Sequence, residues 1–228
     1  MTETLRLLLC ETDGQRTPVE VDFDQVILVG YSGRDREAVE AHVRELEHLG
    51  VAPPPRVPAI YTVPPGLVGT GANLVVATAE TSGEAEFVLL PSWRGIVIAV
   101  GSDHTDRAHE VIDVAESKAL CGKVLSRDVW PLAALEQHWD QLQLRAWTTD
   151  EHGRRLYQEG LLAELLTPAQ LLAEVQGAGF STAGALLFSG TLPTIGGLAY
   201  GSRFEVELHD PTLERSLNCS YFITVRKD

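Results

Sequence analysis

The stretch Gly83-Glu84-Ala85-Glu86-Phe87-Val88-Leu89-Leu90 joins two carboxylates to an uninterrupted apolar run. A run of this length and composition predicts a buried β-strand. Alternate residues of a strand face the same side, so Glu84 and Glu86 are expected to point in one direction. Two like charges this close are costly unless a cation lies between them. The pair therefore indicates either an exposed strand end or a site for a hard cation.

A third carboxylate follows the next predicted strand. The apolar segment at 96–100 leads into Gly101-Ser102-Asp103-His104-Thr105-Asp106-Arg107, a polar turn that opens a predicted helix. Asp103 or Thr105 could simply be the N-cap of that helix. Together with the two glutamates, however, Asp103 supplies three oxygen ligands, a set that suits Mg²⁺, Mn²⁺ or Ca²⁺ better than Zn²⁺.

Basic and titratable residues elsewhere are weaker candidates. Lone lysines such as Lys118 are usually solvated, but Lys123 lies where little else is charged and could stabilise an enolate or a carboxylate oxygen beside a metal. His42 and Glu45 are three residues apart in a helical pattern, where Glu45 could orient His42 as a general base. The same spacing is common on surface helices, so this pair alone predicts little.

The remaining pattern predicts an α+β fold, because strands are numerous and do not alternate regularly with helices. Residues 53–65 are rich in proline and are expected to be extended and irregular. Chain 1–228 is interpreted as a single catalytic domain, in which residues 1–50 are a candidate N-terminal subdomain with a lid helix. Helical spacing is found at 35–49, 106–121 and 168–175, and strand patterns at 5–10, 19–23, 26–29, 74–77, 84–90, 95–100, 185–188, 203–208 and 220–225.

Composition narrows the class of partner. Eighteen basic and 32 acidic residues give a formal charge of −14, which disfavours nucleic acid and anionic membranes. The three cysteines are widely spaced, so neither a disulfide framework nor a thiolate zinc site is expected. The N-terminus has no signal-peptide pattern and no apolar run is long enough to span a bilayer. A cytoplasmic location is the expectation.

Taken in order, these segments resemble the fumarylacetoacetate hydrolase superfamily from residue 26 onward. The stretch from Val26 to Glu45 is similar to its "VGxNYxxHxxE" motif, and Pro58–Gly69 is similar to "PxxFxKPxxxxxG". Gly83–Leu90 resembles "YExELAVVI", and Gly101–Arg107 resembles "xNDxxxRD". Further along the chain, Arg155–Gly160 is similar to "VRQxG", Phe188–Gly197 is similar to "GTPxGxG", and Lys123 falls at the family's lysine position, whereas Lys118 does not.

The resemblance implies a mixed β-sandwich roll with a few peripheral helices, normally a homodimer, that acts on small keto acids. It implies Mg²⁺, or Mn²⁺ or Ca²⁺, held by the three carboxylates, and a metal-stabilised enolate formed during C–C bond hydrolysis or decarboxylation. A hydratase or isomerase of the same superfamily is the alternative. The resemblance assigns catalysis to Lys123, His42 and Glu45, metal binding to Glu84, Glu86 and Asp103, and substrate contacts to Arg107, Thr191, Gln158 and Tyr61.

Two departures from the family pattern leave a non-catalytic interpretation open. Val63 replaces the lysine of the second motif, and an insertion, Ser32–Ala41, separates Tyr31 from His42. A protein of the same fold that binds a metal or a small metabolite without turning it over would tolerate both changes.

Overall fold

The computed structural model describes residues 1–48 and 53–227, and within them the predicted α+β class is confirmed. Strands predominate and the helices are few and short. The strands are β1 (Glu3–Cys10), β2 (Arg16–Phe23), β3 (Gln25–Gly30), β4 (Ala59–Val63), β5 (Val68–Gly69), β6 (Asn73–Val76), β7 (Thr81–Ser82), β8 (Ala85–Ser92), β9 (Gly95–Asp103), β10 (Thr105–Asp106), β11 (Lys123–Leu125), β12 (Asp128–Pro131), β13 (Gln143–Asp150), β14 (Gly153–Leu161), β15 (Ala185–Phe188), β16 (Arg203–Asp210) and β17 (Arg215–Val225). The α-helices are α1 (Arg36–His48), α2 (Arg107–Glu110), α3 (Val114–Ala119) and α4 (Pro168–Gly177).

Most of these strands form two curled sheets. The larger follows the order β2-β1-β12-β9-β8-β15-β3-β4, with β11 joining β9 to β5. The smaller follows the order β14-β13-β16-β17-β6, and β7 and β10 form a separate pair. The arrangement is compatible with the expected β-sandwich roll.

Strands β8 and β9 are buried on both faces. Phe87 and Leu89 pack in the core between the two sheets, together with Tyr157 and Phe204 of the smaller sheet. Val88 packs in a second core that the larger sheet encloses as it curls on itself. A strand with apolar neighbours on both sides has no reason to alternate polar and apolar residues. This explains the uninterrupted run that the sequence shows after Glu86.

The predicted helices are only partly confirmed. The pattern at 35–49 forms α1, and Pro168 occupies the first turn of α4, as expected. Residues 106–121 form two short helices rather than one, because Asp113 begins a new helix by accepting a hydrogen bond from the backbone N–H of Glu116 at 2.8 Å. Gly50, the predicted end of α1, lies outside the described residues.

The proline-rich segment and the hairpin at 143–161 differ from the expectation. Ala59–Val63 lies within the segment predicted to be irregular, yet it pairs antiparallel with β3 along its length. β13 and β14 form a long hairpin that the sequence pattern did not predict. Among the described residues, no helix is long and apolar enough to cross a membrane.

Candidate metal centre

The three predicted carboxylates share one face of the larger sheet. Val88 of β8 and Ala99 of β9 are cross-strand partners in the enclosed core. Glu86 lies two residues before Val88, and Asp103 lies four residues after Ala99, so both side chains emerge on that same face. Glu84 precedes the first residue of β8 by one position and keeps the same alternation. The cluster therefore lies where the enclosed core ends.

The carboxylates converge within this end of the core. One oxygen from each of Glu84, Glu86 and Asp103 lies within 4.8 Å of the others. Glu86 and Asp103 are buried, and the Glu84 side chain retains 16% exposure. Asp103 is the last residue of β9, so the interpretation of it as a helix N-cap is wrong. The cap of α2 is Asp106, whose side chain accepts a hydrogen bond from the His109 backbone at 3.1 Å.

Lys118 contacts two of the three carboxylates. Its Nζ donates to Glu84 Oε2 at 2.8 Å and to Asp103 Oδ2 at 2.6 Å. The side chain is 8% exposed. The expectation that a lone lysine is solvated is therefore wrong for Lys118. Its helix, α3, buries Ser117 and Lys118.

Lys123, the predicted catalytic lysine, lies on the other side of Asp103. The two residues are cross-strand partners between β11 and β9, and Lys123 Nζ lies 2.7 Å from Asp103 Oδ1. The same ammonium donates to the backbone carbonyls of His104 and Lys118, at 2.7 and 2.6 Å. The Lys123 side chain is fully buried. It is held by three oxygens of the protein and thus fixes the orientation of Asp103.

Arg107, the first residue of α2, forms an ion pair with Glu84 through Oε1. Its guanidinium lies 3.0 Å from Glu84 Oε1 and donates to Ser82 Oγ at 2.7 Å. It also donates to both oxygens of Glu110 at 2.9 Å. Glu110 was not identified from the sequence, although its spacing of three residues from Arg107 within a helix is typical of an ion pair.

The two glutamates differ in their preference for a proton. Burial by itself raises the pKa of Glu84, but the charges of Lys118 and Arg107 outweigh it and lower that pKa to about 2. Burial, followed by the charges of Asp103 and Glu84, raises the pKa of Glu86 well above its ordinary value. Repulsion at Glu86 is thus the part of the cluster that a further positive charge would relieve.

A buried polar network supports Asp103 from behind. Tyr221 donates its hydroxyl proton to Ser102 Oγ at 2.8 Å, so it accepts from His104 Nδ1 at 2.8 Å. His104 Nε2 then accepts from the hydroxyl of Thr81 at 2.9 Å. Burial, together with the positive charge of Lys123, lowers the pKa of His104 to about 3. The imidazole is therefore neutral and serves to position the strand end.

Gln158 and Thr191, predicted substrate contacts, are bonded to the segment between the glutamates. Gln158 Oε1 accepts from the backbone N–H of Ala85 at 2.9 Å, and Thr191 Oγ1 donates to the Ala85 carbonyl at 2.8 Å. Gln158 Nε2 donates to Thr191 Oγ1 at 2.7 Å. The backbone N–H of Gly190 donates to Glu86 Oε2 at 2.8 Å. These residues position Glu84 and Glu86.

The remaining predicted residues lie at the edge of the site or beyond what the structure describes. Tyr61 of β4 is half-buried, and burial, followed by the nearby Tyr31, raises its pKa to about 12. The side chains of His42 and Glu45, the predicted general-base pair, lie outside the described residues. A groove of about 690 Å³, lined in part by Asp150, His152 and Tyr200, shares no lining residue with the cluster.

The donor set fits a hard divalent cation. Asp103 Oδ1 is buried without a hydrogen bond from the described residues, although Lys123 is at ion-pair distance. Two oxygens bound to one Mg²⁺ lie at most about 4.2 Å apart, twice the usual Mg–O distance. Carboxylates already within 4.8 Å of one another need only small side-chain shifts to reach this geometry.

Comparison with known proteins gives one family. Residues 29–221 match the model of a family described as "Protein of unknown function (DUF2848)". This chain belongs to that family. The matched range includes the three carboxylates, Lys118, Lys123 and Arg107. No curated protein matches the chain significantly.

Solved structures show that the fold is shared more widely. A crystal structure of Cg1458 with inhibitor is 14% identical, with a TM-score of 0.65, and covers 99% of this chain and 90% of that one. An uncharacterised protein from Mycobacterium abscessus is 17% identical, with a TM-score of 0.64, and covers 93% and 86%. A 2-keto-3-deoxy-D-arabinonate dehydratase complexed with magnesium and 2,5-dioxopentanoate is 17% identical, with a TM-score of 0.60, and covers 90% and 74%.

Proposed function

We propose that this protein is a divalent-metal-dependent enzyme of the fumarylacetoacetate hydrolase superfamily that acts on a small keto acid. The convergence of Glu84, Glu86 and Asp103 within 4.8 Å carries the proposal. Mg²⁺ is the proposed ion, with Mn²⁺ or Ca²⁺ as alternatives, because all three ligands are oxygens. The shared fold of a dehydratase complexed with magnesium and 2,5-dioxopentanoate supports the same class of chemistry.

The bound ion would supply Lewis-acid stabilisation of the negative charge that develops on the keto oxygen. The chain's own residues would prepare the site for this role. Lys123 holds Asp103 in place, and Arg107 holds Glu84. Gln158 and Thr191 fix the backbone between the two glutamates. Residues held this firmly keep the ligands in position and limit the reorganisation needed during reaction.

The proposed reaction is C–C bond hydrolysis or decarboxylation through an enolate. Dehydration, hydration or isomerisation of a keto acid is the alternative, which the dehydratase among the structural neighbours favours. His42 with Glu45 remains the proposed general base on the sequence resemblance alone. The keto-acid partner, the homodimer and the cytoplasmic location likewise stay predictions.

A second candidate function is metal or metabolite binding without turnover. It is favoured by how fully the polar groups are already used. The Arg107 guanidinium contacts Glu84, Glu110 and Ser82, and Gln158 bonds to the protein through both ends of its amide. Groups engaged in this way are not free to bind a substrate carboxylate without first exchanging partners.

Metal binding is tested by titrating the chelator-treated protein with Mn²⁺ and measuring the free ion by electron paramagnetic resonance. Wild type should bind one ion per chain. Glu86→Gln should weaken binding at least tenfold, since the loss of a residue that only orients a metal ligand already costs about 10–100-fold in affinity. Glu136→Gln, on the exposed surface, is the matched control and should bind like wild type. Wild-type affinity in Glu86→Gln would contradict the ligand assignment.

Turnover is tested separately with Mg²⁺ and a panel that includes oxaloacetate and acylpyruvates. Metal-dependent consumption of a keto acid by wild type, and its loss in Lys123→Ala with the metal still bound, would support the enzyme. Metal binding without turnover across the whole panel would support the second candidate function.

A further inference from the structure

Every carboxylate oxygen of Glu84 and Asp103 is already within ion-pair distance of a cation. Arg107 is 3.0 Å from Glu84 Oε1, and Lys123 is 2.7 Å from Asp103 Oδ1. The other two oxygens, Glu84 Oε2 and Asp103 Oδ2, share Lys118 at 2.8 and 2.6 Å. A divalent ion that binds all three carboxylates therefore competes with at least one of these cations for the same negative charge.

The three cations differ in how firmly they are held. Arg107 has Ser82 and both oxygens of Glu110 as additional acceptors. Lys123 donates to two backbone carbonyls, and no other side chain among the described residues donates to them. Within the described part of the chain, the Lys118 ammonium donates hydrogen bonds only to the two carboxylates. Lys118 can leave without stranding a third group.

Charge gives the same result as connectivity. The Lys118 ammonium lies between Glu84 and Asp103, two of the three carboxylates that would bind a divalent ion. An ammonium and a divalent ion a few ångströms apart repel strongly in a buried environment. The two cations are thus alternatives for one position.

We propose that Lys118 is an internal stand-in for the divalent ion: it neutralises the carboxylates in the metal-free protein and is displaced when the ion binds. This inference rests on the proposed function, because it assumes that the carboxylates bind a metal. Lys118 acts here as a positioning residue. It keeps Glu84 and Asp103 together before the ion arrives, and it lowers the apparent metal affinity because each binding event must break two ion pairs.

The first test compares Mn²⁺ affinity in Lys118→Met, in wild type and in Lys227→Met. Lys227 is exposed, so its variant matches the change in net charge without touching the cluster. Removal of the competing cation should tighten Mn²⁺ binding by roughly tenfold or more, as expected for the loss of a buried like charge. Lys227→Met should bind like wild type, and the readout is binding rather than turnover.

The second test uses the wild-type protein and remains informative if Lys118→Met does not fold. Lysine occurs at 118, 123 and 227 only, so acylation by acetic anhydride can be followed at each position by peptide mass spectrometry. Saturating Mg²⁺ should increase labelling of Lys118 severalfold. Lys123 should stay protected in both states, and Lys227 should label equally in both.

The outcomes separate the inference from the proposed function. Metal-induced labelling of Lys118 supports the displacement, and tighter Mn²⁺ binding in a folded Lys118→Met agrees with it. If wild type binds Mn²⁺ and a folded Lys118→Met binds it no more tightly, the displacement is overturned and the metal site stands. Continued protection of Lys118 with the metal bound has the same consequence. If neither wild type nor folded Lys118→Met binds Mn²⁺, the proposed function and the inference both fail.

Discussion

Gln158 Oε1 accepts a hydrogen bond from the backbone N–H of Ala85 at 2.9 Å, midway between Glu84 and Glu86. The Gln158 side chain is fully buried and also donates to Thr191 Oγ1 and the Leu192 carbonyl. A side chain from the smaller sheet thus sets the backbone that presents two of the three carboxylates. This relation makes the sheet-to-sheet contact part of the site.

Gln158→Met should therefore weaken metal binding without removing a ligand. It keeps the volume of the side chain but leaves the Ala85 N–H without its acceptor, and we expect Mn²⁺ affinity to fall by roughly tenfold, as for other residues that orient metal ligands. Free-ion titration measures this. Gln176→Met, on the exposed end of α4, is the control. Equal affinities in the two variants would show that Gln158 does not position the cluster.

Gly190 should tolerate no side chain. Its φ is +84°, and a Cβ there would lie 2.5 Å from the Val29 carbonyl and still closer to Ser32 Oγ. We expect Gly190→Ala to lower the free energy of unfolding by about 3 kcal/mol, since left-handed strain and overpacking add. Urea denaturation measures the change.

Gly196→Ala is the matched control for Gly190→Ala. Gly196 has a similar φ of +78°, but a Cβ there meets no heavy atom within 4 Å. Its cost should be limited to backbone strain of about 1 kcal/mol. If both variants lose the same stability, the close packing around Gly190 is not what constrains that position.

Arg107→Lys should destabilise the protein although the charge is kept. The guanidinium contacts three side chains from a position that is 6% exposed, and a single ammonium cannot reproduce this set. We expect a loss of about 2–3 kcal/mol in the free energy of unfolding, because Glu84 or Glu110 loses its ion pair with residue 107. Arg154→Lys, at a half-exposed pair with Glu205, should change stability by less than about 1 kcal/mol. Similar losses in the two variants, measured in urea, would contradict this role for Arg107.

Asp210 should contribute stability that depends on pH. Burial tends to raise its pKa, but hydrogen bonds and charge from His138, the Leu213 N–H and Arg215 lower it overall. A carboxyl whose folded pKa is depressed stabilises the fold above its unfolded pKa, about 3.9 for aspartate, and loses that contribution as the pH falls toward the folded value. Asp210→Asn should therefore be less stable than wild type at pH 7, and the difference should shrink below about pH 4.

Chemical denaturation across this pH range measures the Asp210 effect. Asp140→Asn provides the comparison, since Arg34 lowers the pKa of Asp140 at an exposed site and solvent screens such pairs. Its effect should be smaller at every pH. A difference between wild type and Asp210→Asn that is constant from pH 3 to pH 7 would rule out the ionised carboxylate as the stabilising group.

The sequence was most informative where local pattern and burial agree. The apolar runs predicted β8, β9 and β15. The alternation of side chains along a strand predicted that Glu84 and Glu86 point the same way. It was least informative where pairing depends on distant partners. Ala59–Val63 is a strand because β3 lies beside it, and the proline content around it gave no indication of this. Helix boundaries also failed at Asp113, where a local cap divides the predicted helix.

By itself the sequence indicated the α+β class, because strand patterns can be read from neighbouring residues. Spacing alone left the three carboxylates open between a strand end, a helix cap and a cation site, and the resemblance to the superfamily is what grouped them. Only the tertiary structure decided which cations meet them. Lys118 and Lys123 are five residues apart, yet a short helix brings one into contact with two of the carboxylates and a strand pairing brings the other behind Asp103. The physical reason is that buried charge is balanced by partners that converge in space, and neither composition nor spacing along the chain records that convergence.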